Sequence, residues 1–183
     1  MEFNGKFKIR RTLLTSAQIQ ERVAEIGRQI TSDYAGSDLV LVGVLKGSLY
    51  FLADLSRSID LPITLDFMSI GTIPNTTSQT GIVRITKDLD VDIAGRQVLL
   101  IEDIIRTGLT TAYLVQNLIA RQAACVQVCS LLVNPDQQLI NVPIAYTGFE
   151  ITQTRLIGYG MDIAEKGRNL PYIAEIEPSF HHE

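Results

Sequence analysis

Cysteine and histidine are scarce in this chain, two of each among 183 residues, and their positions exclude the chemistry they often carry. Cys125 and Cys129 share one apolar run, with no second cysteine pair and no histidine near it, so metal-ligand and redox spacing are both absent. The expectation is two buried free thiols in a reducing compartment. Both histidines fall in the terminal SFHHE, where a pair reads as incidental rather than as a metal site. Positive charge is also short: 16 Lys and Arg against 20 Asp and Glu leave a formal net charge of −4. A protein that grips nucleic acid through its overall charge needs the opposite balance, although local basic sites for small anions stay open. No apolar stretch approaches the roughly 20 residues that span a bilayer, and no basic-then-apolar segment opens the sequence. These absences point to a cytoplasmic protein with no nucleic-acid or membrane partner.

What the chain does have, 46% hydrophobic and 20% charged residues, is the balance of a single domain over residues 1–183 with a sizeable core. Ile19, Val23, Ile26 and Ile30 recur at helical spacing behind Thr15 and Ser16, either of which can cap. Residues 39–45 are continuously apolar, the mark of a strand buried on both faces, and residues 49–58 read as the next helix. Residues 63–68 and 81–85 alternate like antiparallel or edge strands. Between them lies the polar, turn-rich SIGTIPNTTSQT, expected to form a mobile loop over residues 69–80. A second buried strand is expected over 97–101, a helix over 110–121, a third strand over 126–133, and short strands over 144–149 and 155–159. This alternation predicts an α/β domain built on a parallel sheet.

In such a sheet, ligands gather at the C-terminal ends of the strands. Lys46-Gly47-Ser48, Glu102-Asp103 and Asn134-Pro135-Asp136 all fall there. Two adjacent carboxylates repel unless something binds them, and ribose hydroxyls or a hydrated magnesium ion would serve. The turn Thr107-Gly108-Leu109-Thr110-Thr111 stands between a buried strand and a helix start. Its N–H groups and hydroxyls could surround a phosphate, or could cap the helix for structural reasons alone.

The stretch VLLIEDIIRTGLTT, residues 98–111, resembles the phosphoribosyl-pyrophosphate motif of the hypoxanthine-guanine phosphoribosyltransferases. VGVLKGSLYFLADL resembles that family's pyrophosphate loop, LDFMSIGTIPNTTSQTGIVRITKDLDVDIAGR its flexible loop and flanking strands, and TGFEITQTRLIGYGMDIAEKGRNLPYI its C-terminal hood. The resemblance covers nearly the whole chain. It implies a central parallel sheet flanked by helices, with a flexible loop and a small hood made from the chain ends. It also implies transfer of a 5-phosphoribosyl group from magnesium-bound phosphoribosyl pyrophosphate to a purine base, in a homodimer or homotetramer. By the same resemblance, Lys46 and Gly47 offer the pyrophosphate loop, with a cis peptide before the lysine, and Arg168 a pyrophosphate-binding cation. Glu102 and Asp103 face the ribose and the metal. Thr107, Gly108, Leu109 and Thr110 hold the 5'-phosphate, Asp162 lies near a second magnesium and the base, and Leu156 belongs to the base pocket.

Four departures from the family pattern stand out. Arg106 occupies the place of the aspartate that exchanges a proton with the purine N7, and a guanidinium accepts no proton near neutral pH. Facing the cationic sugar of the transition state across ~5 Å at an effective dielectric of ~20, it would cost about 3 kcal/mol, roughly a hundredfold in rate. The expected escape is for Arg106 to fold back onto Asp103, Glu102 or a bound phosphate, with Asp136 the remaining acid nearby. Asn134 replaces a lysine that reads the purine O6, which should weaken the preference for a 6-oxo group. Arg155 replaces an aromatic that stacks on the base. Thr72-Ile73 replaces the Ser-Tyr of the flexible loop. Two functions remain open on this reading: a phosphoribosyltransferase with reduced or shifted activity, or an impaired homologue that binds phosphoribosyl pyrophosphate or a nucleotide as a regulatory or assembly subunit.

Overall fold

Thr15 opens the first long helix with a reciprocal cap: its hydroxyl accepts from the Gln18 N–H, and the Gln18 side chain accepts from the Thr15 N–H at 2.9 Å. In the computed structural model, which describes residues 2–3, 7–73 and 82–178, this helix follows two strands, β1 (Glu2–Phe3) and β2 (Phe7–Leu14). The chain continues as α1 (Ser16–Asp33), β3 (Leu39–Leu45), α2 (Leu49–Arg57), β4 (Ile63–Ile73), β5 (Ile82–Lys87), β6 (Gln97–Ile105) and α3 (Leu109–Ala120). It closes with β7 (Cys125–Val133), a single 3-10 turn at Pro135–Gln137, β8 (Tyr146–Glu150), β9 (Leu156–Ile157) and β10 (Ile173–Pro178).

Six strands form the central sheet in the order β5-β4-β3-β6-β7-β8, and all neighbours are parallel except β4 with β5. The two-residue period of a strand sends alternate side chains to opposite faces. Leu39, Leu41, Leu99 and Ile101 therefore pack under α1 and α2, against Ile19, Val23, Ile26, Phe51 and Leu55. Val40, Val42, Val98 and Leu100 face the other way, against Leu114 and Leu118 of α3. Each of these fully buried aliphatic side chains contributes about 1.5–3 kcal/mol of transfer free energy. Two covered faces explain why β3 and residues 98–101 of β6 are apolar without a break. A second, antiparallel sheet, ordered β1-β2-β10-β9, forms the hood.

The model corrects several expectations. The strand that begins at Ile63 is not confined to the edge, since it pairs in parallel with β3 and in antiparallel with β5. It runs to Ile73, so residues 69–73 of the expected loop are strand, and the rest of that loop lies outside the described residues. Cys129 is buried, whereas Cys125 is only partly so. No helix among the described residues is long and apolar enough to cross a membrane.

Asp66, 4% exposed, shows why β4 carries an acid inside. One carboxylate oxygen accepts from the Phe67 N–H (2.7 Å), the other from the Asp90 and Val91 N–H groups (2.7 and 3.0 Å), and Lys87 Nζ stands 3.5 Å away. Burial pushes this carboxyl up, but the N–H groups of Val91, Phe67 and Asp90 and the Lys87 charge outweigh it, and the net direction is down. A depressed carboxylate stabilises the fold above its unfolded pKa and loses that contribution as pH falls through the folded value. Asp66→Asn turns an NH2 toward these donors and should cost about 2 kcal/mol at neutral pH in urea denaturation. The gap to wild type should narrow below about pH 4, as the wild-type carboxyl is protonated.

Candidate active site

β6 does not end at the expected Ile101 but continues through Ile105, so the carboxylate pair lies within the strand. The pleat then separates the two groups. Glu102, 5% exposed, takes the α3 side, with the Thr111 hydroxyl 3.5 Å from its Oε1. Asp103 takes the other side, against the loop after β3. A Cβ on Gly47 would stand 1.8 Å from Asp103 Oδ2, so only glycine fits there. The Leu45–Lys46 peptide in this loop is cis. Burial pushes the Glu102 carboxyl well up, the nearby Asp103 charge adds to this, and the Thr111 hydroxyl opposes it weakly. Burial also raises Asp103, against the Ile104 N–H and the charges of Arg106 and Arg168.

The next turn is built for an anion. Gly108, with φ +78°, caps α3 without a side-chain hydrogen bond of its own, and among the described residues the only side-chain oxygen near the first N–H groups is the Thr107 hydroxyl, 3.5 Å from the Leu109 N–H. A Cβ at Gly108 would meet the Ile140 carbonyl at 2.5 Å. The Leu139 and Ile140 N–H groups both donate to Thr107 O, at 3.0 and 3.1 Å, and brace the turn from behind.

These elements surround a cavity of about 420 Å³ at the C-terminal end of the sheet. Its wall brings together Gly47, Glu102, Asp103, Arg106, Thr107, Gly108, Thr110, Leu156, Asp162 and Arg168, ten of the residues singled out from the sequence. Thr111 and Met161 also line it. Thr111 was legible within the quoted motif, whereas Met161 carried no signal beyond its neighbour Asp162.

Four other expected residues, Lys46, Leu109, Asn134 and Arg155, are outside this wall. Lys46 reaches outward to Glu165, with Nζ 2.9 Å from Oε2. Leu109 is half exposed, so its main chain is the part that belongs to the turn. Arg155 is exposed. Asn134 is 0% exposed, and neither its amide nitrogen nor its amide oxygen has a partner among the described residues. Thr72 and Ile73 pair through their backbones with Val83 and Ile82 at the end of the β4–β5 ladder.

Arg106 does not take the expected route back onto Asp103 or Glu102. Its guanidinium is exposed and donates to the Thr154 carbonyl at 3.1 Å, across to the loop before β9. In the hood, Arg168 donates to the Gly160 carbonyl (2.8 Å) and pairs with Asp162 (2.7 Å), whose other oxygen accepts from the Glu165 N–H (2.7 Å).

A buried polar pair with no partner is costly. Asn134→Leu should therefore raise stability by about 1–2 kcal/mol in thermal or urea unfolding. If a bound base uses the amide, the same variant should raise the KM for the base and leave that for the ribosyl donor unchanged. A stability loss instead would mean that Asn134 has partners in the folded protein.

Acidic side chains, a glycine turn at a helix start and a hood cation surround one cleft at the mouth of a parallel sheet. The phosphoribosyl transferase domain model matches residues 11–164. The hypoxanthine-guanine phosphoribosyltransferase of Mycobacterium tuberculosis H37Rv is 46% identical over 93% of this chain and 87% of its own length. That of Bacillus subtilis is 40% identical over 96% of this chain and 98% of its own. The crystal structure of a Staphylococcus aureus hypoxanthine phosphoribosyltransferase superposes with a TM-score of 0.89 at 38% identity, covering 96% of this chain and 95% of that one. The chain belongs to the hypoxanthine-guanine phosphoribosyltransferase family, and it is a phosphoribosyl-transferring enzyme rather than a purely structural relative.

Proposed function

We propose that this enzyme takes phosphoribosyl pyrophosphate and a 6-oxopurine, hypoxanthine or guanine, and forms the nucleotide with release of pyrophosphate, as in purine salvage. The observation that carries this is the single cavity that joins the Glu102–Asp103 pair, the Thr107–Thr110 turn and Arg168. The turn and the first N–H groups of α3 hold the 5'-phosphate, aided by the positive end of the helix. Glu102 and Asp103 bind the ribose hydroxyls. Lys46, Gly47 and Arg168 receive the pyrophosphate, and Arg106 and Leu156, both on the cavity wall, bound the side on which the base would enter.

Magnesium fits this donor set. No group of three or more His, Cys, Asp or Glu that could hold a metal occurs among the described residues, and Mg2+ commonly binds through one or two carboxylates together with substrate oxygens and water. One or two of Glu102, Asp103 and Asp162, completed by substrate oxygens and water, would hold it, and it would neutralise charge on the departing pyrophosphate. As the ribose C1–oxygen bond to pyrophosphate breaks and the bond from C1 to the purine nitrogen forms, Lys46 and Arg168 stabilise that same charge. The carboxylates beside the ribose offset the positive charge on the sugar. Nothing at position 106 accepts the N7 proton, so turnover should be slower than an aspartate there would allow. Homo-oligomeric assembly and a cytoplasmic location complete the proposal, with residues 1–183 acting as one domain.

The deciding experiment is pyrophosphate release with magnesium, phosphoribosyl pyrophosphate and each of hypoxanthine, guanine and adenine. Release with the two 6-oxopurines supports the proposal. Release with adenine alone, or with none of the three despite donor binding, would sink it.

A further inference from the structure

The two cations assigned to pyrophosphate are both already in contact with one side chain. Glu165 Oε2 lies 2.9 Å from Lys46 Nζ, and Oε1 lies 3.3 Å from an Arg168 nitrogen. We propose that Glu165 is a built-in counter-anion of the pyrophosphate site, which holds Lys46 and Arg168 in the ligand-free protein and is displaced when pyrophosphate enters. This deepens the reading above and rests on it.

The local backbone supports such a role. Ile163 and Lys166 exchange N–H to carbonyl hydrogen bonds at 3.1 and 3.0 Å, and the two residues between them, Ala164 and Glu165, have φ of +50° and +62°. A tight turn with two left-handed residues favours Asn-Gly or Gly-Gly, and an Ala-Glu pair is strained there. The turn is pinned where the Glu165 N–H donates to Asp162 Oδ2. From that position the side chain spans two separate elements, with one oxygen on the loop after β3 and one on the hood. The hood lies directly on that loop, since a Cβ at Gly160 would stand 1.9 Å from the Gly47 carbonyl oxygen. Lys46 holds the Glu165 carboxyl below its usual range, with a smaller contribution from Arg168, so the group is ionised and competes as an anion.

Pyrophosphate binding then becomes an exchange of anions. Magnesium pyrophosphate offers more oxygens to Lys46 and Arg168 than one carboxylate does, so it wins while bound. The freed Glu165 remains a negative charge at its edge, which weakens product affinity and recloses the cation pair when the product leaves. Exposed ion pairs are individually modest, so the device tunes affinity and does not block the site.

The test is calorimetric titration of inorganic pyrophosphate, with magnesium in excess, into wild type, E165Q, K46M and the double variant. The Lys46 and Glu165 side chains are both largely exposed, so the variants should fold. Loss of the competing charge should tighten pyrophosphate binding by roughly twofold to fivefold in E165Q, and the gain should shrink in the K46M background. In steady state, the pyrophosphate inhibition constant and the KM for the ribosyl donor should fall together, with the KM for the base unmoved. Unchanged or weaker pyrophosphate binding in E165Q overturns the inference and leaves the site assignment standing. Failure of the wild type itself to bind pyrophosphate overturns the assignment, and the inference with it.

Discussion

Arg106→Asp should raise kcat with hypoxanthine by about tenfold to a hundredfold. Two effects add. The first is removal of a cation from the side where the sugar turns positive. Because the guanidinium reaches away to the Thr154 carbonyl and is exposed, a separation of ~8 Å and an effective dielectric of ~40 are more apt than a buried contact. That repulsion is then on the order of 1 kcal/mol, about fivefold in rate. The second effect is larger in principle, because a carboxylate can take a proton from the base, and a well-placed general base is worth ~10²–10⁴. Only part of that is expected here, since Asn134 and Arg155 are outside the cavity wall and the base is held less firmly. Steady-state pyrophosphate release, wild type beside variant, is the measurement. An Arg106→Asp enzyme that is no faster would mean that the guanidinium works as it stands, donating to the purine N7 and O6 as arginine does with guanine.

The Glu102→Gln variant should move stability and ligand affinity in opposite directions. Burial and the neighbouring Asp103 hold the Glu102 carboxyl well above its ordinary range. For a carboxyl raised on folding, the folded state binds protons more tightly than the unfolded state, so stability falls as pH rises from the unfolded pKa to the folded one. The wild type without ligand should accordingly lose stability as pH rises above the unfolded value of about 4.3. Glutamine removes that slope, and the variant should be more stable than wild type by about 1–2 kcal/mol at pH 8. In exchange, affinity for the magnesium-bound ribosyl donor should drop by roughly a hundredfold, as expected when a charge that meets metal and ribose is lost. Urea denaturation across the pH range and calorimetric titration of the donor read the two halves separately. A less stable variant at pH 8 would show that the Glu102 charge is already compensated without ligand.

Much of the central sheet was legible because burial on both faces writes itself as an unbroken apolar run, as in residues 39–45 and 97–101. The same rule hid the end of β6, since Glu102 and Asp103 break the run although the ladder continues to Ile105. β4 read as an antiparallel or edge strand because its alternation includes Asp66, and its parallel pairing with β3 was hidden because two of the three N–H groups that satisfy that carboxylate lie more than twenty residues away. β2 and β10 escaped notice because their pairing is long-range and their exposed faces carry Arg11 and Glu175 rather than an apolar stripe. The Thr107–Thr110 turn and the Glu102–Asp103 pair stood out by their place at a strand end, and the roles expected of them came from the family resemblance. The destination of Arg106 was not, because a backbone carbonyl in another loop leaves no mark on the pattern. Glu165 stayed hidden for a related reason, since its meaning comes from a turn that folds it onto Lys46.

The hood sheet has a consequence for the order in which the molecule assembles. β2 and β10 pair across the whole chain, as the Arg11–Glu175 hydrogen bond between residues 164 positions apart shows. The six-stranded sheet, by contrast, is complete within residues 39–150. Closing so long a loop is favourable only once the central sheet has brought its ends near each other. During synthesis β2 therefore waits without its β10 partner while everything between the two is made. Asp162 and Arg168 reach the cleft only in that final step, so a nascent chain has its phosphate cradle before it has the cations and carboxylates of the hood, and the complete site appears last.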